Sequence, residues 1–366
     1  MARTVGPVSA AVLFITYTGQ LSGAEKLLLE VIGEAQREGR EVTVACPDGP
    51  VAQALPPGCR HVRIPELSLG GAQGTARAVA AGRLLLRWAR TAATVRPLAR
   101  RPGTDTVVNS VFALPVARLA GVPGGVSWLV HDALTSRVQQ AVIRFGRPAV
   151  RTAVACTRAA AAPVQALDVP VRVVNYGVRW PVPPQAGTLH DPPVVGMLSL
   201  LTPWKGHRVV LDALAELPGV TAEFAGGQFP GDHGFVEELR ARAAAPDLAG
   251  RVSFPGHVDP EQAMARWDVL VSASVAPEAG PLAVLEAMAH GLPVVATEHG
   301  GPVEFLRDGV GMLVLPGDSA ALAAALRTVL ADGTLRSRMA ERGRERIATE
   351  HDSAVTLPAL LRALTS

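Results

Sequence analysis

Lysine is nearly missing from this chain, which holds two, Lys26 and Lys205, against 33 arginines in 366 residues. A composition that supplies arginine wherever a generic cation will serve makes a lysine in a loop a position to examine. Lys26 falls in a helical pattern and reads as part of a solvated face. Cysteine is scarce as well: Cys46, Cys59 and Cys156 are odd in number and far apart, with no C-x-x-C pair. This excludes a disulfide framework, argues against thiolate metal or redox chemistry, and fits a reducing cytoplasm. Aromatic residues make up only 4% of the chain. Apart from Trp88 none interleaves with the basic clusters, so stacking on nucleic acid is not expected. No apolar stretch approaches the roughly 18 to 20 residues of a membrane-spanning helix. The apolar run Val8 to Thr16 is preceded by a single basic residue, Arg3, and followed by no small-residue cleavage site, so it is expected to be a first strand rather than a signal peptide. Gly19-x3-Gly23 is not a dinucleotide fingerprint, which leaves a dehydrogenase without support.

What is present is a well-buried globular composition, 48% hydrophobic and 18% charged. At this length two domains of about 150 to 200 residues each are expected. The formal charge of +3 hides an asymmetry: residues 1–180 carry 21 Lys and Arg against 10 Asp and Glu, a net +11, whereas residues 181–366 carry 14 against 22, a net −8. The N-terminal half should favour an anionic partner. Pro181, Pro183, Pro184, Pro192 and Pro193 exclude helix and central strand alike, which marks 181–193 as the linker between domains at 1–180 and 194–351. A last helix at about 352–366 is expected to pack back on the first domain.

In each half, short apolar runs alternate with helical patterns. Ala10 to Ile15, Val42 to Ala45, Asp105 to Val108, Val126 to Val130 and Val171 to Val174 read as strands in the first half. Val194 to Leu198, Val220 to Ala225, Val252 to Phe254, Val269 to Ser272 and Val294 to Thr297 do so in the second. On the helix Gly23 to Arg37, residues Leu27, Leu28, Val31, Ile32 and Ala35 share one face. Strict alternation implies an α/β chain with a doubly wound parallel sheet in each half. Ligands of such sheets bind beyond the carboxyl ends of the strands, so two facing domains are expected to hold one in the cleft between them. The loops to inspect are Tyr17 to Gly23, His131 and Asp132, Ser199 to Gly206, Gly226 to Pro230, and Ala276 to Pro281.

From Val269 to Thr297, 29 residues, the only charged side chains are Glu278 and Glu286, where 18% charge would place about five. The helix Leu282 to His290 is apolar nearly all round. Glu286 falls beside Leu282, Leu285 and Ala289 at helical spacing, so it is expected on a packed face. A carboxylate buried there costs several kcal/mol unless donors or a cation compensate it. A ribose offers two vicinal hydroxyls to a group that accepts two hydrogen bonds. A structural Arg partner is the plainer alternative. Glu278 precedes the helix, where free N–H groups and the positive dipole end suit phosphate. Lys205, in Thr202-Pro203-Trp204-Lys205-Gly206 just past a strand, is a compact cation suited to a diphosphate oxygen.

These residues resemble the retaining GT-B glycosyltransferases of family 4 over nearly the whole chain. Glu278-x7-Glu286 followed by Ala-Met-Ala-His-Gly-Leu-Pro-Val-Val-Ala-Thr is similar to the family's glutamate signature. Gly300-Gly301-Pro302-Val303-Glu304, Gly309 and Pro316-Gly317-Asp318 follow at the family's distances. Thr202 to Gly206 resembles its lysine-glycine loop and Ala225-Gly226-Gly227 its glycine turn. Ser22-Gly23-Ala24-Glu25, Asn109-Ser110, His131-Asp132 and Val174 to Val178 are looser matches in the first half. The resemblance implies a GT-B fold, two Rossmann-like domains with a cleft between them, and a sugar donor linked to UDP, GDP or dTDP. It implies that Glu286 binds the ribose and Glu278 the sugar, with Leu282, Gly280 and Gly226 around the donor. Lys205 would hold the diphosphate, Gly23 would let the backbone approach it, and His131 would lie near the transferred sugar. No metal and no further cofactor is implied.

Two positions depart from the family pattern. Ser199-Leu200 replaces Gly-Arg, which removes a second cation from the diphosphate, a place Arg208 or Arg158 would have to fill. Glu278-Ala279-Gly280-Pro281 replaces Glu-x-Phe-Gly, and Pro281 has no N–H to offer a sugar hydroxyl. Arg83, Arg87 and Arg90, with Leu84, Leu85 and Trp88, fall within a segment, Glu66 to Asp105, that has no acidic residue between its ends. This stripe resembles a membrane-surface helix on anionic lipid, against the plainer alternative of a solvated helix. A cytoplasmic enzyme is expected, peripheral on the inner face of the cell membrane if the stripe meets lipid. A GT-B sugar-nucleotide epimerase and a degenerate nucleotide-sugar binding protein remain open beside transfer. The arginine-rich, lysine-poor composition suggests a bacterial genome rich in G and C. Cell-envelope glycans, glycolipids and secondary metabolites are the acceptor classes in view.

Overall fold

In the computed structural model, residues 11–68, 75–131, 134, 136–183, 189–228 and 232–366 are described. The expectations that fall on Val8 to Ala10, Asp132, Pro184, Phe229 and Pro230 lie outside these residues. The chain divides into two compact units: Met1–Asn175 with Thr356–Ser366, and Tyr176–Val355.

The first unit holds a parallel sheet of β1 (Ala11–Ile15), β2 (Glu41–Cys46), β3 (Arg60–Arg63), β4 (Thr104–Val108), β5 (Val126–Val130), β6 (Val150–Ala155) and β7 (Val171–Val173), in the order β3-β2-β1-β4-β5-β6-β7. The central strands are apolar on both faces because helices cover both. In β5 every residue is buried, Trp128 among them. Helix Gly23–Arg37 buries Leu27, Leu28, Val31, Ile32 and Ala35, the face that its spacing marks out. Its start is closed by a capping box in which the Ser22 N–H and hydroxyl both bond the Glu25 carboxylate.

The second unit repeats the design with β8 (Val194–Leu198), β9 (Thr221–Ala225), β10 (Val252–Gly256), β11 (Val269–Ser272), β12 (Val294–Thr297) and β13 (Met312–Val314), in the order β10-β9-β8-β11-β12-β13. Its core joins Val195, Met197, Phe224, Val269, Val271 and Val295 from the sheet to Leu211, Leu214, Leu322 and Leu326 from covering helices. In each sheet the strand order reverses once, between β1 and β4 and between β8 and β11. Ligands of doubly wound sheets bind beyond the carboxyl ends of the strands at such a reversal.

The apolar runs of the sequence leave out β3, β6 and β13. β3 is an exposed edge strand reading Arg-His-Val-Arg, β6 has an arginine near its start, and β13 has three residues. The segment 181–193 also differs from its expectation as a linker. The boundary lies upstream, after Asn175, and the described ends of the proline-rich stretch, 181–183 and 189–193, are fastened into the second unit. Asp268, 6% exposed, accepts from the His190 N–H at 3.0 Å and the Val194 N–H at 2.6 Å, and Arg344 donates to the Val182 carbonyl at 3.0 Å. Residues 356–366 belong to the first unit, where Arg151 donates to the Leu364 carbonyl and Arg172 to the Ser366 hydroxyl.

Candidate active site

At the reversal between β8 and β11, the loops after the two strands meet. The loop after β8 carries Lys205 and the loop after β11 carries Glu278. The Lys205 Nζ lies 2.5 Å from Glu278 Oε2, and the two side chains are only 15% and 9% exposed. The other carboxylate oxygen, Oε1, accepts from the Ser274 hydroxyl. The Lys205 ammonium also sits 4.2 Å from the centroid of the Trp204 ring, itself 42% exposed. Ser199, Lys205, Ser274, Glu278, Pro281 and Ala283 line a small cavity here.

The backbone is built to hold these groups. Gly206 ends the Pro203–Lys205 turn at φ +81°, and a Cβ on it would stand 1.9 Å from the Ala273 carbonyl oxygen, so only glycine lets the two loops touch. The Val275 N–H donates to the Trp204 carbonyl at 2.8 Å and ties the loops directly. The Ser274 carbonyl accepts from Thr297 Oγ1 at 2.9 Å and His299 Nε2 at 2.7 Å. The Gly301 N–H bonds the Glu278 carbonyl at 2.8 Å. Behind Lys205, the His207 ring is fully buried edge-on to Phe224, and burial pushes its pKa down to about 4.

Helix Leu282–His290 begins directly after this loop, with Pro281 as its N-cap, so its first N–H groups face the crevice side of the sheet. Its buried residues are Val284, Leu285, Ala287, Met288 and Ala289. Glu286 is only half-buried, on the partly open face with Leu282, Ala283 and His290. This corrects the packed position expected for it beside Leu285 and Ala289. In a nine-residue helix that is apolar nearly all round, spacing does not tell which face turns inward. The charge is therefore reachable, and the strong burial cost does not apply.

The other expected donor-side residues are placed as follows. Gly226 has φ +147°, and a Cβ there would meet the Ser199 carbonyl oxygen at 1.9 Å. Its lack of a side chain lets the turn after β9 pass the loop after β8. Arg208, offered for the missing cation, is exposed, pairs with Glu238 and stacks 4.9 Å from the Phe235 ring centroid. Arg158 is the exposed first residue of helix Arg158–Gln165 in the first unit.

At the first unit's reversal, Gly23 is the first residue of its helix and Asn109 directly follows β4. His131 follows β5 and its Nε2 donates to Asn109 Oδ1 at 2.7 Å. Because Oδ1 only accepts, the bond selects the Nε2–H tautomer. Desolvation drives the ring's pKa down to about 3, so it is neutral at pH 7. The loop after β1 is anchored by Glu66, whose carboxylate takes the Gly19 N–H at 3.1 Å and the Thr18 hydroxyl at 3.3 Å. Reasoning from sequence missed Ser274, Thr297, His299 and the Asn109 bond. Only the spacing of Ser274 four residues before Glu278 carries any signal of them.

The arginine stripe is also redrawn. On helix Thr75–Ala99, Leu84 and Trp88 are buried, with the Trp88 Nε1–H donating to the Phe112 carbonyl at 2.7 Å. Arg87 is half-buried and donates to the Glu66 carbonyl at 3.1 Å. The outward face holds Arg83 and Arg90 with Val79, Leu85 and Leu86, these three 57 to 60% exposed. Among the described residues no helix is long and apolar enough to cross a membrane.

Residues 179–346 match the family model described as glycosyl transferases group 1. The lipopolysaccharide core biosynthesis glycosyltransferase LpsE of Rhizobium meliloti is 35% identical over 178 residues, 48% of this chain and 51% of that protein. The phosphatidyl-myo-inositol mannosyltransferase of Mycobacterium leprae is 38% identical over 165 residues, 44% of this chain and 42% of its own. The matches thus span about half the length of these relatives. Among solved structures, Anabaena HepE in complex with UDP and glucose superposes with a TM-score of 0.82 at 24% identity, over 98% of this chain and 100% of that one, a likeness of fold. The chain has the GT-B fold, and its residues 179–346 are a domain of the group 1 glycosyltransferases.

Proposed function

We propose that this protein transfers a sugar from a nucleoside diphosphate donor to an acceptor hydroxyl with retention of anomeric configuration. The observation that carries the proposal is the nearly buried Lys205 and Glu278 pair at the β8/β11 reversal, beside a helix N-terminus. In this reading the ammonium and the helix dipole neutralise the diphosphate as it departs, the task a divalent cation performs elsewhere. Glu278 accepts from sugar hydroxyls, and the half-open Glu286 accepts from the ribose. Leu282, Gly280 and Gly226 shape the wall around the donor. In the first unit, Gly23 lets a helix start approach the diphosphate, and neutral His131, oriented by Asn109, lies near the sugar. With Arg208 engaged by Glu238, the diphosphate relies on Lys205 and backbone N–H groups. The UDP and glucose held by HepE support a nucleotide-sugar donor.

The acceptor class we favour is a cell-envelope glycan or glycolipid. The exposed Val79, Leu85 and Leu86, beside Arg83 and Arg90, suit contact with an anionic membrane surface on the cytoplasmic side. Co-sedimentation with vesicles containing anionic lipid at low salt, lost on Arg83→Glu with Arg90→Glu, is the expected outcome. Equal sedimentation of both proteins removes the membrane contact.

The reaction itself is tested by incubation with UDP-, GDP- and dTDP-sugars and a panel of hydroxyl acceptors. Release of nucleoside diphosphate that persists in EDTA, with the product's anomeric configuration retained, is expected. Isomerised donor instead identifies an epimerase, and binding without turnover identifies a degenerate binding protein.

A further inference from the structure

Lys205 and Glu278 have different targets on a donor, yet in this structure they satisfy each other. The ammonium bonds one carboxylate oxygen at 2.5 Å and lies over the Trp204 ring, while Ser274 holds the other oxygen. Lys205 is the second of only two lysines, and Arg208 is engaged with Glu238, so no spare side-chain cation stands in the described loop after β8. Whatever draws Lys205 away leaves a carboxylate that is 9% exposed without its counter-charge. Breaking a poorly solvated pair from one side is costly unless the stranded partner gains new donors.

We propose that this pair couples recognition of the diphosphate to recognition of the sugar within one ligand, so that the site prefers the intact nucleotide sugar to the nucleoside diphosphate left after transfer. The inference rests on the donor-binding reading above and adds a specificity role for the pairing itself. A nucleoside diphosphate alone claims Lys205 and sets its phosphates against Glu278, which receives nothing in return. A nucleotide sugar claims Lys205 through its diphosphate and supplies Glu278 with hydroxyl donors through its sugar. The exchange is then balanced. Ser274, clamped through its carbonyl by Thr297 and His299, keeps the carboxylate from following the lysine outward. After transfer the hydroxyls leave with the sugar, the Lys205 to Glu278 bond re-forms, and the diphosphate product is displaced.

The test is calorimetric titration of UDP and UDP-glucose, GDP and GDP-mannose, and dTDP and dTDP-glucose into the wild-type protein and into Glu278→Gln. For the base that binds, the sugar-bearing form should bind wild type about tenfold or more tightly than the bare diphosphate. In Glu278→Gln the gap should close to about threefold or less, chiefly because the bare diphosphate binds more tightly once Lys205 is released. Ser274→Ala, which keeps the ion pair but no longer holds the carboxylate back, should narrow the preference by less than Glu278→Gln does, and the unliganded melting temperature of each variant shows that the fold is kept. Wild type that binds both forms equally overturns the proposal, as does Glu278→Gln that weakens both alike. If none of the six nucleotides binds either protein, the donor-binding reading itself has failed and takes this inference with it.

Discussion

The two strand-order reversals use the same topology and opposite chemistry. Beyond β8 and β11 the side chains are ionic: an ammonium and a carboxylate in contact, with the carboxylate held on its far side by a serine. Beyond β4 and β5 a neutral pair meets: a desolvated imidazole bonded to an amide. An ionic edge suits a charged diphosphate and a sugar that must be gripped, whereas a neutral pair suits hydroxyls whose protonation must not change. The fold supplies the place in both units, and the loops decide what it does.

The largest effect that separates the two edges is expected from Lys205. Lys205→Ala removes the ammonium from the diphosphate and should lower nucleoside diphosphate release by about 10²- to 10³-fold. A drop under about threefold in a turnover assay would put the ionic edge outside the chemistry.

Acid should strain both units through their histidines. His207 and His131 have folded pKa values pushed from 6.5 to about 4 and about 3 by burial. An imidazole with a depressed folded value binds protons in the unfolded chain first. The associated stability is therefore present above pH 6.5 and is lost as the pH falls toward 4. For fully buried His207 this amounts to about 3 kcal/mol at most. Denaturant unfolding at pH 7 and pH 4.5 should show the loss, with His207→Gln flattening it; an unchanged slope in that variant assigns the loss elsewhere.

The smallest effect falls at the neutral edge. Asn109→Ala removes the acceptor of the His131 Nε2–H and should reduce kcat by about tenfold at most, with donor KM unchanged. Nitrogen NMR of the ring should show the Nε2–H tautomer in wild type and a smaller share of it in the variant. A pure tautomer in both proteins would show that Asn109 does not select it.

The ionic edge was the more legible of the two in the sequence, for a physical reason. One lysine among arginines and two glutamates in an uncharged stretch stand out, because burying charge is expensive and a chain does it sparingly. The ion pair joining Lys205 to Glu278 was not legible, since 73 residues separate them and only the adjacency of β8 and β11 brings them together. Glu286 was assigned to a packed face because a short, uniformly apolar helix has little contrast between its sides. Asn109 and His131 are ordinary residues with ordinary neighbours, and their meeting depends on strand order. Strands such as Val126–Val130, Val194–Leu198 and Val269–Ser272 were legible to the residue, because central parallel strands are continuous apolar runs. Edge strand Arg60–Arg63 is half solvated and carries no such signature.

The central claim is that the second unit's edge holds a nucleotide sugar, with Glu286 on the ribose. A thermal-shift screen of nucleotides and nucleotide sugars on wild type and Glu286→Ala tests it most directly. Wild type should be stabilised by at least one nucleotide sugar, and Glu286→Ala, its unliganded melting temperature recorded beside that of wild type, should lose most of that shift. No shift with any nucleotide, or a shift that survives Glu286→Ala intact, would contradict the account.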